Sequence, residues 1–258
     1  MNHRNQRAFA CDKLKVSIHP DRQSSGQSAG TAAARHLRDA IAARGTARLI
    51  VASAPSQNET LHYLARAGSL AWEKISVFHM DEYVGLPESH PASFRAYQRQ
   101  HLLRDVRPAE FHGIRGEAAD PDGECLRYAR LLAYAPVDVV CMGIGENGHI
   151  AFNDPHVAIF QDPSMVKTVE LDAECRQQQV NDACFPDIQS VPTQAITLTC
   201  PTLMSALHVV CSVPGHRKAR AVRQTLCGPI ATSCPASILR THPSATLYLD
   251  LESSALLE

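Results

Sequence analysis

The sequence predicts an α/β protein: an open, three-layer, doubly wound and mainly parallel sheet of the Rossmann-like kind, in a single domain. Three observations carry this. Short apolar runs rich in β-branched residues keep alternating with longer segments of helical period, an order that favours parallel strands with crossover helices on both faces. No repeat or low-complexity stretch interrupts the alternation. At 258 residues and 45% apolar content, one α/β unit can bury a substantial core.

The elements follow in order. LKVSIHP (14–20) reads as the first strand and is followed by the helical SAGTAAARHLRDAIAARG. RLIVASA (48–54) precedes the helical NETLHYLARA, and ISVFHMD (75–81) precedes SFRAYQRQHLL. The later half continues with VDVVCMGIG, AITLTC, LHVVCSV before the helical RKARAVRQTL, and finally ATLYLDL. Residues 1–12 read as a loose tail, leaving 13–258 as the domain. The polar stretch from Pro155 to Pro192, helical only around ECRQQQVNDAC, reads as an excursion from the sheet that covers or borders a site.

Composition narrows the function. A net charge of −1, with Lys and Arg scattered instead of striped, leaves no nucleic-acid footprint and favours a small-molecule partner. Nine cysteines without a CxxC pair, several of them inside strand-like runs, suit a reducing cytoplasm. Neither a signal-peptide apolar region nor a membrane-length apolar run is present, so a soluble protein is expected. Exposed helices on α/β proteins of this size are compatible with a homo-oligomer.

Ligands of such sheets bind outside the carboxyl ends of the strands, and four strand exits carry suggestive chemistry. At MDEY, Asp81 and Glu82 are adjacent, so only one of them faces a given pocket. In GIGENGHIAFNDP (143–155), Gly145 allows a tight turn and close backbone approach, while Gly148 leaves space beside His149. A carboxylate, Asp154, follows five residues on and can fix the imidazole tautomer that acid–base work needs. No HExxH or comparable spacing accompanies the histidine, and no metal or other cofactor is expected. APSQNE (54–59) offers Ser56, Gln57 and Asn58 as anion donors, or else a capping box from Ser56 to Glu59. PGHRKA (214–219) places Lys218 where a strand exit becomes a helix start, so an ammonium and a helix N-terminus can act together on an anion.

FHMDEYVGL with HPASF, GIGENGHIAFNDP and VPTQAITL, in this order, resemble the glucosamine-6-phosphate deaminase family, which shares a fold with 6-phosphogluconolactonases. The resemblance runs from about residue 14 to 250. GHIAFNDP points to the deaminase branch, because lactonases typically continue GHTASLFP. It implies conversion of an amino-sugar phosphate to a ketose phosphate and ammonia, with glucosamine 6-phosphate first and galactosamine 6-phosphate close behind. Asp81 would move a proton from C2 to C1, His149 would assist ring opening, and Asp154 and Asn147 would orient the histidine. A sugar lactonase and a sugar-phosphate sensor without turnover are the alternatives.

Three departures from the family pattern stand out. Asp154 occupies a place where many members have glutamate. The phosphate loop, usually TGGTP-like, reads APSQNE here. The family's phosphate-holding arginine on the excursion helix falls near Asn181, leaving Arg176, about one and a half helical turns earlier, as the expected substitute.

Overall fold

The computed structural model describes residues 7–257. From the amino end, β1 (Arg7–Cys11) and β2 (Leu14–His19) form a hairpin, followed by α1 (Arg22–Arg44), β3 (Ala47–Val51) and α2 (Asn58–Ala65). Next come β4 (Ile75–His79), β5 (Asp81–Tyr83), α3 (Phe94–Gln98), β6 (Glu110–His112), α4 (Pro121–Ala133) and β7 (Val139–Met142). The excursion supplies β8 (Val166–Glu170) and α5 (Ala173–Asn181). The chain closes with β9 (Gln194–Leu198), α6 (Cys200–Met204), β10 (His208–Val213), α7 (Ala219–Cys227) and β11 (Ala245–Asp250).

Eight strands form the main sheet in the order β1-β2-β11-β10-β7-β3-β4-β6, parallel throughout except for the β1–β2 hairpin. Alternate side chains of the central strands enter different cores, as the pleat requires. Leu49 and Val51, with Val139 and Cys141, pack under α1 and α2; Ile50, Val140 and Met142 pack on the other face with Tyr128 of α4 and Val222 of α7. Burial on both faces explains why these strands read as nearly continuous apolar runs.

Two expectations are corrected. Residues 7–11, placed in a loose tail, form an edge strand paired along its length with β2. Its side chains are mostly exposed, so RAFAC carries no core pattern, and the ladder hydrogen bonds decide its state. Residues 1–6, the rest of that tail, lie outside the described residues. The second correction concerns AITLTC. It does not join the parallel sheet but becomes β9, the centre of a separate antiparallel sheet in the order β5-β9-β8. Asp81 therefore opens β5, opposite Thr197, instead of ending the preceding strand. Ile196 and Leu198 of β9 nevertheless pack with Ile50 and Met142, so both sheets share one core within a single domain.

Tyr128 fixes the end of β4 that leads to Asp81. Its hydroxyl accepts from the His79 amide at 3.0 Å and lies 2.8 and 3.0 Å from the carbonyls of His79 and His112. Removing it strands buried backbone groups. Tyr128→Phe is expected to lower the unfolding free energy by about 1–3 kcal/mol in urea, whereas the exposed Tyr134→Phe should change it by less than about 0.5 kcal/mol.

Candidate active site

The exits of β3, β4, β7 and β10 converge on one pocket, covered from above by α5. Asp81, His149, Gly145, Ser56, Gln57 and Lys218 all line it. The pair at MDEY is divided by the pleat of β5. Glu82 turns away and accepts from the amides of Phe94 (3.0 Å) and Arg95 (3.1 Å), the hydroxyl of Ser93 (2.8 Å) and the guanidinium of Arg95 (3.3 Å). It caps the start of α3, so HPASF is a structural partner of this carboxylate. Asp81 faces the pocket instead, and its Oδ1 is buried without a hydrogen-bond partner. Burial, and then the neighbouring charge of Glu82, push its carboxyl well above the ordinary 3.8.

His149 is set by its own loop. Its amide donates to Asn147 Oδ1 at 3.0 Å, and its Nδ1 lies 2.9 Å from Asp154 Oδ1. Asn147 Nδ2 donates to the same Asp154 oxygen at 3.0 Å and to Asp172 Oδ2 at 3.3 Å. Burial by itself would raise the Asp154 carboxyl, but the hydrogen bond and charge of His149 and the Asn147 amide hold it below its ordinary value. The glycine that makes room for the imidazole is not Gly148. A Cβ at Gly145 would come within 2.2–2.3 Å of three ring atoms, whereas Gly148 supplies a turn at φ 86° and packs against Cys234.

His149, Asp154 and Cys175 each place one ligand atom within 4.8 Å of the others. The 2.9 Å between Nδ1 and the carboxylate is hydrogen-bond spacing, shorter than the roughly 3.3 Å kept by two ligands on a tetrahedral zinc with bonds of about 2.0–2.1 Å. The geometry is that of a histidine–carboxylate dyad.

The expected anion donors behave differently from one another. Ser56 and the buried Lys218 line it. Gln57 lines it too, but its amide donates to Ser212 O at 3.0 Å and to Ser56 Oγ at 3.2 Å, so it braces the loop against β10. Asn58 is turned away, with its Oδ1 2.6 Å from the hydroxyl of Tyr97. Nor does the capping box form: Pro55–Gln57 is a 3-10 turn, and Glu59 pairs with Arg22 at 2.8 Å. Arg176 is also turned away, donating to the carbonyls of Ile188 (2.5 Å) and Val191 (3.1 Å) to close the excursion. The residues of α5 and its C-cap that do reach the pocket are Gln178, Gln179 and Asp182, which sequence reading missed. Their i, i+1, i+4 spacing, one helical face of the excursion, was the available signal. Burial lowers the Lys218 ammonium, while Asp182 and Glu146 act in the opposite direction.

This is an α/β protein with acid–base groups and a buried ammonium gathered at the carboxyl ends of its parallel strands. Residues 20–248 match the family described as glucosamine-6-phosphate isomerases/6-phosphogluconolactonase, and the chain belongs to that family. The glucosamine-6-phosphate deaminase of Listeria monocytogenes is 34% identical over 202 residues, covering 78% of this chain and 84% of that protein. That of Exiguobacterium sibiricum is 36% identical over 183 residues, 71% of each chain. The solved structure of a monomeric glucosamine-6-phosphate deaminase superimposes with a TM-score of 0.86 at 31% identity, over 94% of this chain and all (100%) of that one. A 6-phosphogluconolactonase from Shewanella baltica, at 18% identity and TM-score 0.75 over 94% and 99% of the chains, shares the fold.

A carboxyl whose proton affinity rises on folding contributes stability below its unfolded-state value and loses it as pH climbs towards the folded-state one. Asp81 is therefore a liability near neutrality. Asp81→Asn should be more stable than wild type at pH 7, and the advantage should shrink as pH falls from 7 towards about 4 and vanish below that, as read from thermal unfolding across that range.

Proposed function

We propose that the protein is an isomerising deaminase that converts an amino-sugar phosphate, glucosamine 6-phosphate first and galactosamine 6-phosphate second, to the ketose phosphate and ammonia. The observation that carries this reading is the buried, unpartnered Asp81 oxygen facing the same pocket as the His149–Asp154 dyad. Binding alone gives no reason to bury an uncompensated carboxylate, and lactone hydrolysis has no carbon-bound proton for it to remove. The deaminase names of relatives at 34–36% identity support the same branch.

In this reading His149, with Nδ1 held by Asp154, uses Nε2 to take the proton of the anomeric hydroxyl and deliver it to the ring oxygen, opening the sugar. Asn147 keeps Asp154 and the loop backbone in register with the ring. Asp81 then removes the C2 proton to give an enolate, the substrate's own C2 ammonium passes a proton to O1 to form the enolamine, and Asp81 returns its proton to C1. The resulting C2 imine takes up water and releases ammonia, leaving the ketone. A carboxylate with raised proton affinity suits abstraction from carbon. Lys218, Ser56 and the loop backbone hold the phosphate at the far end. All these groups come from one chain, so the reading requires no second copy, in keeping with the monomeric deaminase among the solved relatives. A reducing, cytoplasmic setting belongs to the same proposal, supported by nine cysteines that are all free thiols. Among the described residues, no helix is long and apolar enough to cross a membrane.

The test is ammonia and ketose-phosphate release from both sugars in heavy water. Wild type should incorporate deuterium at C1, Asp81→Asn should lose about 10²–10⁴-fold in kcat, and His149→Asn should lose more on the ring-closed sugar than on an open-chain analogue. Hydrolysis of 6-phosphogluconolactone without ammonia release, unaffected by Asp81→Asn, would instead establish the lactonase.

A further inference from the structure

The pocket sets a carboxylate beside the ammonium that would receive a dianion. Lys218 is the only Lys or Arg lining the pocket among the described residues, and Asp182 lines it as well. Asp182 caps the C-terminus of α5, whose partial negative charge disfavours an acidic group there. The side chain is held in that unfavourable place: Arg217 approaches its Oδ1 at 3.5 Å, and the Gln178 amide donates to its Oδ2 at 3.4 Å. Gln178 in turn accepts from the Glu146 amide at 2.8 Å, tying α5 to the loop that carries His149. Arg217, just before Lys218 in sequence, also approaches Glu146 at 3.8 Å. Asp182 is thus fixed between the catalytic loop and the lysine turn, with a side chain only 18% exposed.

We infer that Asp182 is a specificity-determining residue: its carboxylate acts as a resident competitor for the anion site at Lys218. It therefore weakens the hold on a phosphate dianion and favours sugars whose remaining contacts are complete. The inference rests on reading the Lys218 end as the phosphate anchor. Phosphate entry places its charge beside that of Asp182, in a partly buried cleft where like charges are poorly screened. Replacing the carboxylate by an isosteric amide removes this repulsion while keeping the donor contact from Gln178 available. The expected gain is about tenfold in anion affinity. It falls on KM and not on kcat, because the distal phosphate is bound equally in ground and transition states.

The experiment titrates inorganic phosphate calorimetrically into wild type, Asp182→Asn and Arg217→Gln, and measures KM and kcat for glucosamine 6-phosphate with each. Asp182→Asn should bind phosphate about tenfold more tightly and lower KM by a similar factor. Arg217→Gln should move both in the opposite direction, because it frees Asp182 from its counter-ion; this keeps the test decisive if Asp182→Asn folds poorly. Unchanged or weaker phosphate binding by folded Asp182→Asn, in an enzyme that deaminates the sugar, overturns the inference alone. Tighter phosphate binding by Asp182→Asn, with no ammonia release from glucosamine 6-phosphate by it or by wild type, supports the inference and overturns the deaminase reading for that sugar.

Discussion

The imidazole of His149 lies against the backbone of Gly145, so close that a Cβ there would meet ring atoms at 2.2–2.3 Å. Much of the site depends on this contact. The ring sits on the turn after β7 with its Nδ1 2.9 Å from Asp154 Oδ1, and Asn147 bonds both to that carboxylate and to the His149 amide. The loop closes on itself: the Gly145 amide donates to the His149 carbonyl at 2.8 Å, and the Gly148 amide to the Gly145 carbonyl at 3.0 Å. A side chain at position 145 would displace the ring and undo these hydrogen bonds together.

Three buried carboxylates in one neighbourhood have three different environments. Glu82 is saturated with backbone and guanidinium donors and serves the architecture of α3. Asp154 is held ionised by the histidine and the Asn147 amide against the pull of burial. Asp81 receives neither kind of help, and its proton affinity rises. Environment alone thus gives three acidic residues in buried positions a donor-saturated, a histidine-paired and an unpartnered setting.

The second sheet is what makes this separation possible. By leaving β4 and pairing β5 with β9, the chain turns Asp81 into the pocket and Glu82 out of it. The same sheet leads from β8 into α5, so Gln178 and Gln179 of that helix, with Asp182 at its C-cap, line the pocket beside Asp81, His149 and Lys218. The His149 loop, α5 and the turn before α7 are therefore joined through Gln178, Glu146 and Arg217.

The parallel sheet, the reactive loop and the family were legible in the sequence because they are local. Strand runs declare themselves by composition, and GIGENGHIAFNDP carries its glycines, histidine and carboxylate within one turn-sized stretch. Asp81 and Lys218 were named from strand exits together with the family resemblance; with His149 they line one pocket, and Asp154 Oδ1 lies 2.9 Å from the His149 ring. What the sequence could not determine was pairing. β1 is a strand because β2 offers it a ladder, and AITLTC leaves the main sheet because Asp81–Tyr83 offers it an antiparallel partner. Direction was equally hidden: Asn58 and Arg176 have the right chemistry for an anion, yet Tyr97 and two backbone carbonyls claim them. Residue type fixes what a side chain can bond to, but only the tertiary structure decides which of the available partners lies within reach.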